Sequence, residues 1–464
     1  MPEELEEQLS YKEEFEAVVQ TEDKLRIKEF LDNQNISDVA ELVDEYSEYE
    51  SQILANMSVH RAASVFKILD LSAQKRIIQH LPPNTTASLL NELPADDRTD
   101  FLEELPSNAV RELIKLLEPE ERKITLSLLG YPDNSIGRLM TPDYVYVYAY
   151  NTVEEAFATI RKYGKDSETI NVIYVINEKG ELLDDIRIQE FILNPPDKLV
   201  SDLMDERVIA LHAYDDQETA GEAFKMNNRV ALPVVSNSNK LLGIVTIDDI
   251  LWVTGEEFGE DIQKIGGTSA LEEPYIEIPI FRLFKKRIVW LIILFFGELI
   301  TISAMQQFQD EIAKVVILAT FIPLIISSGG NSGSQASTLI IQAMALGEVT
   351  IADWWRIMRR EIFSGLLLGC TLCIIGVSVI TIWHFLSPTT FGIHHLRIAL
   401  TVGLSLIGIV LWGSLMGSML PLILKRFGAD PAASSTPFVA TLVDVTGLLI
   451  YFSVAYLILG GILL

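Results

Sequence analysis

Asp444 stands alone in Phe438–Phe452, FVATLVDVTGLLIYF, a run otherwise almost wholly apolar. An unpaired charge in hydrocarbon costs roughly 2.5–3.5 kcal/mol on insertion scales, so such an acid faces a partner, a wet cavity or an ion. Thr441 and Gly447, three residues to either side, share its helical face. That small, polar face suits a cation in a pore; the competing reading is an acid hydrogen-bonded between helices for packing alone. Upstream, in GADPAASSTP, Asp430-Pro431 lies at the mouth of the same segment. A divalent ion passing here meets Asp430 first and Asp444 deeper in. Mg2+ dehydrates reluctantly and keeps several waters, so one carboxylate among carbonyls and hydroxyls suits outer-shell binding. Soft transition metals call for Cys, His or Met. His384, His394 and His395 fall at or outside the external end of their segments and read as surface residues.

A second polar stretch, Ser327–Thr338 (SSGGNSGSQAST), follows Pro323. Within lipid this much glycine and amide is tolerated only against protein or a wet cavity. Ser, Asn and Gln can hold the waters of an ion, and close helix packing through small residues explains the stretch equally well. Gly365-x-x-x-Gly369 and Gly413-x-x-x-Gly417 read as packing faces. Glu298, another intramembrane acid, either joins the ion path or bonds to a neighbouring helix. The two cysteines, Cys370 and Cys373, lack the two further ligands zinc needs and read as small residues filling a helix.

These residues fall in five apolar segments, about 288–305, 312–346, 362–385, 396–424 and 437–464. Each reaches or nearly reaches the roughly 20 residues that span hydrocarbon. The second has 35 residues, too long for a simple span. Lys285-Lys286-Arg287, Arg356 with Arg359 and Arg360, and Lys425-Arg426 mark cytoplasmic ends, while the opposite loops hold only Lys314 and Arg397. The reading is a multi-pass protein of the plasma or inner membrane, N-terminus inside and C-terminus outside. No secretory signal precedes it, since the first thirty residues are acidic and lack an apolar core.

Residues 1–284 hold 26 Lys+Arg against 56 Asp+Glu, a net −30, while residues 285–464 hold 10 against 8, a net +2. The acidic half excludes nucleic acid as a partner, because phosphates demand Lys and Arg, and it is compatible with cations. No P-loop, HExxH or nucleophile elbow is present, so an enzyme is not expected.

The acidic half begins as a helical domain, 1–137. Leu81-Pro82, Leu93-Pro94 and Leu105-Pro106 recur every twelve residues, and each Pro suits the first turn of a short helix. Such units share a core only when stacked, as in an α-helical solenoid. Acids at the turns, Asp96, Asp97 and Asp100 among them, are candidate cation ligands; helix N-terminal placement explains most of them individually. Residues 138–246 then repeat strand–helix–strand–turn–strand–helix, with Met140 and Met204 starting copies 64 residues apart. This tandem α/β unit resembles a pair of CBS domains. The second copy carries the family's G-x-[VI]-T-x-x-D ending as Gly243, Val245, Thr246 and Asp249; the first, GELLDDIRIQEFI, departs from it. CBS pairs often bind adenosyl ligands, so ATP or another adenosyl nucleotide is a candidate at the second copy. A connecting helix, 247–268, carries Asp248, Asp249, Glu256, Glu257, Glu260 and Asp261, and leads to the transmembrane domain, 285–464.

The order of acidic helical domain, CBS pair, acidic connecting helix and five-helix transmembrane domain resembles the MgtE family of magnesium channels, on SGGNSGSQAST, ADPA at 429–432 and TLVDVTGLLIY at 441–451. The resemblance covers essentially the whole chain. It implies a homodimer in membrane lipid with the pore on the dimer axis, Asp444 as the pore aspartate holding hydrated magnesium, and Asp430 as an acid near the cytoplasmic gate. The connecting helix, with Asp249 and Asp261 matching family acids and Glu260 beside them, is then the plug. Bound Mg2+ would bridge acids of the soluble domains and favour closure; Asp96, Asp97 and Asp100 are chosen from their position alone. Two alternatives stand beside this reading: a proton-coupled secondary transporter cycling a proton on Asp444, and a membrane-tethered CBS sensor without transport.

Overall fold

The computed structural model describes residues 2–21, 23–271, 275–276, 278–309, 315–388 and 394–460; Lys314 and the end of the fifth segment, 461–464, lie outside them. The chain divides into two compact units, Met1–Thr254 and Gly255–Leu464.

The first unit opens with short helices: α1 (Pro2–Val19), α2 (Lys24–Asn33), α3 (Ile36–Glu45), α4 (Glu50–Asn56), α5 (Val59–Phe66), α6 (Leu71–His80), α7 (Pro83–Glu92), α8 (Ala95–Glu103), α9 (Ser107–Ile114) and α10 (Pro119–Leu128). Helices this short need tertiary packing, and theirs is one apolar core from Phe15 to Leu117. The twelve-residue register is present with a correction. Pro82, Pro94 and Pro106 sit at the N-cap just before their helices, while Pro83 and Pro119 stand inside the first turn. A residue before proline is pushed into extended backbone, so Leu-Pro ends one helix and aims the next. Arg98 is fully buried. Its guanidinium donates to Thr125 Oγ1 at 2.8 Å, to the carbonyls of Leu90 and Leu93 at 3.1 Å and to Glu121 at 2.5 Å, which satisfies the charge and staples α7, α8 and α10.

After α11 (Ile136–Leu139) come two copies of one motif: β1 (Tyr144–Tyr148), α12 (Val153–Tyr163), β2 (Thr169–Ile176), β3 (Leu182–Arg187) and α13 (Ile188–Leu193), then β4 (Leu211–His212), α14 (Gln217–Asn227), β5 (Ala231–Val235), β6 (Leu241–Thr246) and α15 (Ile247–Ile265). Each forms a three-stranded sheet, β1-β2-β3 and β4-β5-β6, with the first pair parallel and the second antiparallel. Thr141 and Ile244 exchange both backbone hydrogen bonds at 2.9 Å. Gly243 permits this, since a Cβ there would lie 2.6 Å from the Thr141 carbonyl oxygen. In the first copy Asp184 occupies the corresponding place. Its carboxylate accepts the amides of Asp185, Asp205 and Glu206 at 2.8, 2.8 and 3.1 Å, so the departure visible in the sequence is a filled, self-bonded position.

In the second unit, among the described residues, five stretches are long and apolar enough to cross a membrane: 280–307, 316–345, 351–386, 395–426 and 436–459. They contain α16 (Ile280–Gln307), α17 (Val316–Ala319) with α18 (Ile322–Ala345), α19 (Trp354–Leu386), α20 (His395–Arg426) and α21 (Thr436–Leu459). The first and third helices start earlier than their apolar runs, so Lys285–Arg287 and Arg356, Arg359 and Arg360 are helical rather than loop residues. Hydropathy marks only the hydrocarbon slab, while the helix continues and long basic side chains reach outward. The overlong second segment is broken at Thr320-Phe321, with Pro323 in the first turn of α18, where its missing N–H costs nothing. The fully buried Tyr451 hydroxyl donates to the Leu318 carbonyl beside this break at 2.9 Å.

Helices α18 and α20 cross backbone to backbone. A Cβ on Gly413 would lie 2.3 Å from the Gly329 oxygen, and one on Gly417 2.1 Å from the Gly333 oxygen. The Ser332 and Ser414 hydroxyls bond at 2.8 Å, and Ser337 and Ser334 donate to the carbonyls of Ser434 and Thr436 at 3.1 and 3.2 Å. Most of the SSGGNSGSQAST stretch therefore packs helices, while Ser327, Asn331 and Gln335 form an exposed stripe at i, i+4, i+8. His384 and His395 differ from their expectation as surface residues. Their rings stack 3.8 Å apart, half-buried, because the ends of α19 and α20 meet there.

Candidate functional site

Asp444 lies near the middle of α21, half-buried. A Cβ at Gly330 of α18 would sit 3.6 Å from Asp444 Oδ1, an ordinary contact distance, so α18 runs directly beside the carboxylate. Glu298 of α16 stands close enough to Asp444 to act on its charge. The approach of α16 is close because Gly297 faces Thr441, whose Cγ2 would lie 2.6 Å from an added Cβ. Trp412 Nε1 of α20 donates to Thr446 Oγ1 at 2.8 Å, which fixes the rotation of α21 about the acid. Thr441, three residues before Asp444 and on its face, donates to the Pro437 carbonyl at 3.0 Å, while Thr446, turned toward α20, donates to the Leu442 carbonyl at 2.9 Å.

The turn before α21 meets the end of α15. Asp430 Oδ1 accepts the Ala432 amide at 2.8 Å, and its Oδ2 lies 2.7 Å from Lys264 Nζ near the end of α15. Lys264 also pairs with Glu260, one turn earlier. Thr436 Oγ1 donates to the Ile265 carbonyl at 3.1 Å. Burial, then Asp430, pushes the Asp261 carboxyl up to about 6. Burial opposes the charge on Lys264, but hydrogen bonds to Asp430 and Glu260 outweigh it and raise the ammonium above the usual lysine range.

A third group lies in the first unit. Asp96 is buried, with Oδ1 unpartnered. Burial, then Asp249, raises its carboxyl well above the usual range. Asp97 is pushed up to about 6 by burial, against Lys67, whose Nζ lies 3.5 Å away, and with Asp249 and Glu168 adding repulsion. Asp249 is pushed up to about 6 by burial, although its Oδ2 accepts the Thr246 hydroxyl at 2.6 Å. Glu168 is raised by burial, with Asp248 adding to it. The structure thus gathers Asp96, Asp97 and Asp249 with Glu168, Asp248 and Lys67, and brings Glu260, Asp261 and Asp430 around Lys264. Asp100 instead acts on Glu103 in its own helix. Among the described residues no three His, Cys, Asp or Glu side chains form a ready-made metal cage. Sequence reasoning missed Glu168, Lys67 and Lys264 as site residues. Glu168 and Lys67 lie far along the chain from their partners, and Lys264, one turn from Glu260, meets Asp430 only across 166 positions, so no local pattern announces these meetings.

Comparison with known proteins identifies the family of the chain. A family described as "Divalent cation transporter" matches residues 322–454, "MgtE intracellular N domain" matches 34–134, and "CBS domain" matches 136–192 and 200–254. The magnesium transporter MgtE of Thermus thermophilus is 38% identical over 352 residues, 76% of this chain and 76% of that one. The chain belongs to the MgtE family of magnesium transporters. The MgtE of Bacillus subtilis is 32% identical over 339 residues, 73% of each chain. The solved cytosolic domain of the Mg2+ channel MgtE in complex with ATP is 32% identical, with TM-score 0.50, covering 52% of this chain and 98% of that one. The soluble part of a magnesium transporter is 28% identical, with TM-score 0.50, covering 53% and 99%. The MgtE resemblance and the fold class read from the sequence hold. The chain is a multi-pass transporter with an intracellular N domain, a CBS pair, a long connecting helix and five candidate spans, and its family is not enzymatic.

Proposed function

We propose that this MgtE protein is a channel for Mg2+ uptake, lined at mid-depth by Asp444 and closed when cytoplasmic Mg2+ binds its acidic soluble half. The observation that carries the proposal is the Asp444 carboxylate, half-exposed inside the span domain, with Gly330 of α18 beside it and the Thr441 hydroxyl on its own helical face. A hydrated ion needs this, since Mg2+ gives up its waters reluctantly. A homodimer would line the path with one Asp444 from each copy, and the exposed Ser327, Asn331 and Gln335 offer polar surface for ordered water. The basic clusters orient the N-terminus to the cytoplasm and the C-terminus outside. Closure follows from the acids Asp96, Asp97, Asp249, Glu168 and Asp248. Divalent ions relieve their repulsion, and a ligand shifts an equilibrium by its differential affinity for the two states. Glu260, Asp261 and Asp430 would act in the same way at the mouth, with Asp100 a more distant contributor. ATP, or another adenosyl nucleotide, would bind the CBS pair at the second copy, whose Gly243, Thr246 and Asp249 are intact while Asp184 fills the first.

The test is Mg2+ flux into vesicles carrying the full chain, with and without Asp444→Asn. Loss of flux supports the pore reading; flux and ion preference unchanged by the substitution would refute it. A second reading rests on Glu298 standing beside Asp444, since a carboxyl pair can exchange a proton as a proton-coupled carrier requires. Flux indifferent to an imposed pH gradient rejects that reading.

A further inference from the structure

We infer that Lys264 is the chain's own counter-ion at the cytoplasmic mouth: its ammonium takes the place between Asp430 and Glu260 that a divalent ion would take, and holds the end of α15 on the 430–436 turn when no ion is there. The inference rests on the reading of a channel closed by cytoplasmic Mg2+.

Three acids meet at this point, Glu260 and Asp261 from the helix and Asp430 from the turn, and Lys264 is the cation that touches two of them. Without it, helix and turn would present three carboxylates to one another. Two neutral contacts lie beside it. Thr436 donates to the Ile265 carbonyl at 3.1 Å, and Gly267, in left-handed backbone at φ +73°, lies where an added Cβ would be 3.4 Å from Pro437 Cγ. Such contacts fix where the helix ends but cancel no charge. The pair is also reachable. The Lys264 and Asp430 side chains are 30% and 38% exposed, so water and ions have access and the bond can exchange. A permanently buried pair would act as a bolt; this one acts as a latch. A divalent ion brings two charges where the ammonium brings one, so it can displace Lys264 and close the same contact more firmly. The soluble end of α15 need not be involved.

The experiment uses the full chain in vesicles, with Mg2+ flux followed by an internal indicator while cytoplasmic-side Mg2+ is varied. Lys264→Gln is expected to raise flux at low Mg2+ about fivefold, the size of a partly exposed ion pair, and to leave flux at high Mg2+ unchanged, because the ion then supplies the missing charge. Lys264→Arg should follow the parent. Lys264→Met is a second neutral replacement if the glutamine variant does not fold. Equal flux for the neutral variant and the parent at low Mg2+, in a parent that Mg2+ does close, overturns the inference alone. Flux raised equally at low and high Mg2+ also overturns it, since that marks a loosened helix end rather than a missing cation. A parent whose flux ignores cytoplasmic Mg2+ overturns the closure reading and this inference with it.

Discussion

Replacing Gly417 with alanine puts one methyl group where α18 and α20 touch. The added Cβ would stand 2.1 Å from the Gly333 carbonyl oxygen, 2.8 Å from its carbon and 3.0 Å from its Cα. All three are backbone atoms of a neighbouring helix, so no side chain can turn away. Carbon contacts relax near 3.5 Å, so the helices must separate by about 1 Å. Overpacking a tight core costs about 1–3 kcal/mol, and an unyielding backbone places this site at the upper end. Separation also stretches the 2.8 Å Ser332–Ser414 hydrogen bond, adding about 0.6 kcal/mol on the membrane-protein average. The expected total is about 3 kcal/mol. The displacement would reach Asp444, because α18 also runs past it at Gly330. Gly259→Ala is the control, since its Cβ would meet nothing within 4 Å, and in a helix it should stabilise by about 0.5–1 kcal/mol. The assay is thermal unfolding of the full chain in detergent beside Mg2+ flux in vesicles. A Gly417→Ala protein that melts with the parent and transports normally would refute the backbone-contact argument.

Other consequences can be measured in the same way. Burial holds Asp97 and Asp249 at about 6 and Asp96 higher still. The folded chain therefore keeps protons that the unfolded chain releases near the ordinary carboxylate value, and stability present below about pH 4 is lost as pH rises through about 6. Ion-free protein should melt higher at about pH 5 than at about pH 7, with the gap narrowed by Asp97→Asn and by added Mg2+. Tyr451→Phe removes the donor to the Leu318 carbonyl and should cost about 0.6–1.7 kcal/mol in detergent unfolding, the range for hydrogen bonds between membrane helices. Gly243→Ala drives a methyl to within 2.6 Å of the Thr141 oxygen, and should cost about 1–3 kcal/mol in a calorimetric scan.

Much of this molecule is local, and what is local could be read. Asp444 was visible because lipid-crossing runs tolerate few acids, and the spans because hydropathy is summed over neighbours. The repeat of Leu-Pro was visible too, though not that proline would sit at the N-cap, a choice made by the backbone before it. SSGGNSGSQAST stayed ambiguous because one helix uses it twice. Gly329, Ser332, Gly333 and Ser337 face other helices, and Ser327, Asn331 and Gln335 do not. Composition cannot separate two faces of one stretch. Glu298 beside Asp444, and Lys67 beside Asp97, are meetings across 146 and 30 positions, set by packing rather than by spacing.

The outward row of Ser327, Asn331 and Gln335 bears on how the chain is made. Amides and hydroxyls facing acyl chains would draw water into the bilayer or drive the helix toward any polar surface within reach. A newly inserted single copy is therefore a poor tenant of the bilayer, and biogenesis should favour early meeting with a mate over long residence alone. Solitary copies would be the form that quality-control proteases find first.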